Sequence, residues 1–85
     1  MKSRDYETLK QHLATNLRTL RREMRLSQEA LSLNADVDRT YVSQIERAIG
    51  NPSLLVLSSL ADALEKDVSE LLSPPSLTDK ASTRR

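Results

Sequence analysis

Leu9, Leu13, Leu17, Leu20 and Met24 fall three or four residues apart, with polar and charged residues between them. This spacing predicts an amphipathic helix over roughly 7–24 with one apolar stripe turned to a core. Arg25 and Leu26 then form a short connection. Ser27 suits the N-cap of a second helix over roughly 28–34, with Ala30, Leu31 and Leu33 on its buried side. So short a helix must pack on its neighbours to persist. Asn34 to Val37 has the character of a tight turn, and Asp38 the character of an N-cap. A third helix is expected over roughly 39–48, with Val42 and Ile45 inward and Arg39, Thr40, Ser43, Gln44 and Arg47 on other faces.

Gly50–Asn51–Pro52 marks a loop. Ser53 can cap a fourth helix running through Leu64, with Leu54, Leu57, Leu60, Ala61 and Leu64 inward. Asp67 and Glu70 have capping-box spacing and open a last helix over roughly 68–72, where Val68, Leu71 and Leu72 close the core. Pro74 and Pro75 cannot continue it. The expected organisation is an all-α domain of five helices over 7–73, a flexible stretch at 1–6 and a flexible polar tail at 74–85. No internal repeat interrupts this pattern.

Composition narrows the function classes. The 85 residues hold no cysteine, which removes disulfides and thiolate chemistry and fits a reducing cytoplasm. No apolar run reaches the roughly 20 residues of a membrane helix. The first residues lack the apolar core of a signal peptide, so no membrane or secretory role is expected. His12 is the one histidine and falls on the polar side of the first helix, where it is expected at the surface. With no metal-ligand cluster and no phosphate-cradling glycine loop, neither an enzyme nor a cofactor nor a small-molecule ligand is expected.

A net charge of +1 says little, but its distribution says more. Arg18, Arg21, Arg22 and Arg25 face only Glu23 within 16–25. Asp62, Glu65, Asp67 and Glu70 face only Lys66 within 53–72. One end of the domain is therefore basic, which suits a phosphate backbone, and the other acidic. The stretch from Gln28 to Arg47 reads as a short helix, a tight turn and a second helix that leaves a polar face outward. That is the pattern of a helix-turn-helix.

The run LSQEALSLNADVDRTYVSQIERAIGNPSL, from Leu26 to Leu54, resembles the lambda-repressor-like, or Xre-type, DNA-binding family. LRTLRREMR upstream and LADALEKDVSELL downstream resemble its first and last helices. Asp38 to Ser43 with Ile45-Glu46-Arg47 also looks like the controller proteins of restriction–modification systems. The resemblance implies that Arg39, Thr40 and Gln44, with Ser43 secondary, reach base edges in the major groove of double-stranded DNA. The chemistry agrees, since Arg forks onto guanine and Gln pairs with adenine. It implies phosphate contacts at Ser27, Gln28, Tyr41, Arg47 and Asn51, and a structural ion pair between Arg21 and Glu46. Arg18, Arg22 and Arg25 are left free of that pair.

Arg25, Asp36 and Glu65 stand where many members of the family have glycine, so left-handed backbone is expected there, with a strain of about 1 kcal/mol at Arg25 and Glu65. Specific binding needs two half-sites, hence a homodimer. Ile49, Leu55 and Val56 are apolar yet off the core stripe, and with Val68 they form the candidate seam. The implied function is a cytoplasmic transcriptional regulator, activator or repressor, with RNA polymerase as a further contact. The alternative is an antitoxin that regulates its own gene through the same fold.

Overall fold

The computed structural model describes residues 3–75. Five helices follow in order: α1 (Ser3–Glu23), α2 (Gln28–Ala35), α3 (Arg39–Glu46), α4 (Leu54–Ala63) and α5 (Val68–Leu72). There is no strand among the described residues. The first helix begins at Ser3, so residues 3–6, expected to precede the folded part, are its opening turn. Of the tail, Ser76 to Arg85 lies outside the described residues.

Three caps are made by the side chains that the sequence offers. Ser27 Oγ accepts from the Ala30 N–H at 2.9 Å. Asp38 Oδ1 accepts from Thr40 at 2.9 Å and Ser53 Oγ from Val56 at 3.1 Å. Each satisfies a first-turn donor that has no partner within its helix. The helix ends use left-handed residues, Arg25, Asp36, Ala48 and Glu65, with φ between 58° and 61°. Ala48 was not expected among them. It ends α3 two residues earlier than the pattern predicts, because Ala48 N–H turns back to the Ile45 carbonyl and Ile49 N–H to that of Gln44.

Leu17, Leu31, Val42, Ile45, Leu60, Leu64 and Leu71 are fully buried and form the centre of the core. Four leucine and methionine positions expected inside are instead exposed. Leu9 and Met24, at the two margins of the α1 stripe, are 38% and 40% exposed, with Leu9 bordering an open groove beside Leu57 and Leu72. Leu33 and Leu54 are 74% and 73% exposed, since α2 and α4 bury narrower faces than a full stripe would.

The first helix also serves as a rail that closes the ends of two others. Asn16 is buried and donates through Nδ2 to the carbonyls of Leu71, at 2.9 Å, and Ser73, at 2.8 Å. His12 is half-buried rather than on the surface, with Nδ1 3.3 Å from the Leu72 carbonyl. These bonds satisfy carbonyls that a five-residue helix leaves unpaired. They hold α5 against α1 and so complete the base on which the α2–α3 pair stands.

Candidate nucleic-acid interface

The third helix divides along its length. Val42 and Ile45 are buried, at 0% and 2% exposure, and fix which face looks inward. On the other side, Arg39 and Thr40 are exposed at the first turn, while Ser43 and Gln44 are half-buried beyond them. The two expected base readers at the start of α3 therefore stand in solvent with no side-chain hydrogen bond to the rest of the described chain. An arginine that projects freely from a helix held on its opposite face can enter a groove without breaking a native bond.

The end of α3 is held tightly. Glu46 is buried, and Arg21 meets its carboxylate in a two-pronged pair, Nε to Oε2 at 2.6 Å and Nη2 to Oε1 at 2.9 Å. Arg21 Nη1 also donates to the Leu26 carbonyl at 2.8 Å, so one guanidinium joins α1, the α1–α2 connection and α3. Burial pushes the Glu46 carboxyl up. Hydrogen bonds from Arg21 and Gln28 and the charges of Arg21 and Arg18 outweigh this and hold it below its ordinary range. The hydrogen bond to Glu46 likewise raises Arg21, against the effect of burial.

Two expectations change here. Gln28 turns its Nε2 onto Glu46 Oε1 at 3.1 Å, so its amide is part of the buried network and not simply presented to phosphate. Arg18 is not free: its Nη1 donates to the Glu46 carbonyl at 2.6 Å. Among the other expected phosphate contacts, Ser27 and Asn51 are exposed and Ser27 is engaged as a cap. Tyr41 is half-buried against the core. Arg47 is exposed, and its Nε lies 3.4 Å from the Ser43 carbonyl.

The proposed seam is uneven. Leu55 is 76% and Ile49 47% exposed, while Val56 and Val68 are partly buried against their own core. Leu54, expected inside, is exposed like its neighbour Leu55.

The helix-turn-helix family profile matches residues 17–71, most of the described domain. The chain belongs to the helix-turn-helix family. As members of that family, it and its relatives share a DNA-binding regulator fold. The control protein C.SmaI of Serratia marcescens is 38% identical over 72 residues, covering 85% of this chain and 86% of its own. The crystal structure of the restriction-modification controller protein C.AhdI from Aeromonas hydrophila matches with a TM-score of 0.70 at 39% identity, covering 73% of this chain and 94% of that one. The structure of a hypothetical transcription factor from Neisseria matches with a TM-score of 0.78 at 36% identity, covering 88% and 84%. This chain is a DNA-binding transcriptional regulator. The antitoxin alternative is not favoured by these relatives.

Proposed function

We propose that the protein binds a two-fold related DNA site as a homodimer and places α3 of each copy in the major groove. Arg39, Thr40 and Gln44 then read base edges, with Ser43 beside them, and Ser27, Gln28, Tyr41, Arg47 and Asn51 border the phosphates. The observation that carries this reading is the exposed, unpaired start of α3 opposite the buried Val42 and Ile45. Phosphate contacts set position and salt dependence, and base contacts set sequence. Gln28 contributes from its bonded position, through the backbone N–H groups that open α2.

One copy covers only a few base pairs, and two half-sites lie about 34 Å apart on one DNA turn. The exposed apolar residues Ile49, Leu54 and Leu55, with the partly buried Val56 and Val68, would supply the surface for such a pair. The controller relatives support a role at a promoter. There, bound protein would recruit or obstruct RNA polymerase in the cytoplasm. No helix among the described residues is long and apolar enough to cross a membrane.

Footprinting on DNA upstream of the protein's own gene, at stated salt, tests the reading. Protection of two half-sites one turn apart is the expected result. Protection that does not depend on sequence, or none at all, contradicts it.

A further inference from the structure

Glu46 is gripped twice from α1, and only one of the two contacts engages its side chain. Arg21 takes the carboxylate, whereas Arg18, three residues earlier on the same helix face, takes the backbone carbonyl at 2.6 Å. Glu46 is the last residue of α3. The carbonyls just before it are taken by turning backbone: Ser43 and Gln44 accept from Arg47, Gln44 also from Ile49, and Ile45 from Ala48. No backbone N–H of the described residues reaches the Glu46 carbonyl. Arg18 is its partner instead, and it is half-buried at that contact. A fixed cation at a helix C-terminus satisfies an orphan acceptor and opposes the negative end of the helix dipole.

We propose that Arg18 is a positioning residue for DNA recognition, which sets the angle of α3 by capping its C-terminal carbonyl and is not a phosphate contact. The inference rests on the DNA-binding reading. By sequence Arg18 belongs with Arg22 and Arg25 in a basic patch open to the backbone of DNA. The structure sets it apart from them: Arg22 and Arg25 are exposed, whereas Arg18 is half-buried and donates its Nη1 to α3. Because α3 touches bases at its start, a small tilt allowed at its end moves Arg39 and Thr40 off the base edges. It leaves the phosphate contacts largely in place. Specific affinity falls and non-specific affinity does not.

The test uses the full chain and a duplex that the wild-type protein selects from a randomised library, with a scrambled duplex as the non-specific probe. Binding of wild type, Arg18→Ala and Arg18→Lys is measured across a salt series, each at a temperature where circular dichroism shows it folded. The expected result for Arg18→Ala is a specific affinity lower by about tenfold. Its non-specific affinity and the slope of log K against log salt stay unchanged, and Arg18→Lys, which keeps a charged donor, recovers part of the loss. A slope smaller by about 0.9 identifies Arg18 as a phosphate contact and overturns the inference. So does unchanged specific affinity per folded molecule, which reduces Arg18 to a stability role. If Arg18→Ala does not fold, Arg18→Lys carries the same comparison, with a smaller specific loss at constant slope expected. A wild-type protein that selects no duplex overturns the DNA-binding reading and the inference together. The other two outcomes overturn the inference alone.

Discussion

The two ends of α3 are built for opposite tasks. At its start, Arg39 and Thr40 are exposed and make no side-chain bond within the described chain. At its end, Glu46 is buried and bound by Arg18, Arg21 and Gln28. Eight residues thus contain both a free surface and an anchored root. The difference teaches where each kind of residue can be changed. A side chain that makes no native contact can be altered without disturbing the fold, so its loss is felt only when DNA is present. One that is buried and charged cannot be removed without leaving its partners unpaired.

The largest effect belongs to the anchored end. Glu46→Ala leaves Arg21 buried without its carboxylate, and a stability loss of about 3–5 kcal/mol is expected by urea denaturation. The acid limb sharpens the point. The carboxyl of Glu46 is held below its ordinary value of 4.5, so its contribution to stability is complete above that value. The contribution is lost as pH falls through the lower, folded-state value. Wild type should therefore lose stability on acidification more steeply than Glu46→Gln. Parallel pH profiles would show that Glu46 is not held in its charged form.

Arg39→Ala, at the free end, should leave the stability measured by urea denaturation within about 0.5 kcal/mol of wild type. It should lower discrimination at a single guanine position by about 1–3 kcal/mol, read by competition among single-base variants of the site. Leu55→Glu tests the proposed seam, away from the base readers. Light scattering should show a monomer at concentrations where wild type is expected to pair, with little change in the fold of each copy, because Leu55 is exposed. The smallest effect is at Ala48, whose φ of 59° suits glycine. Ala48→Gly should stabilise the protein by roughly 0.5 kcal/mol, as relief of strain exceeds the added freedom of the unfolded chain.

Much of this was legible in the sequence because the relevant signals are local. The apolar spacing of Leu13, Leu17 and Leu20 marks α1, and Ser27, Asp38 and Ser53 mark three helix starts. The left-handed backbone at Arg25, Asp36 and Glu65 follows from comparison with a glycine pattern. Ala48 escaped because alanine is a helix former and carries no turn signal. Leu54 was misplaced because spacing gives a face but not how far the neighbours extend along it. Asn16 had a readable clue: it lies three residues from Leu13 and next to Leu17, so a buried polar group seeking acceptors was foreseeable. Arg18 had none. Nothing local separates it from Arg22, and only the approach of the α3 terminus gives it a partner.

The exposed start of α3 as the reader of bases is tested most directly by the double variant Arg39→Ala, Thr40→Ala. Its thermal melt and its binding to the selected duplex should be recorded side by side. The account predicts a melting curve that overlays wild type and a specific affinity lowered toward the non-specific level, with the preference left to Gln44 and Ser43 retained. Undiminished sequence preference in the folded double variant would contradict it.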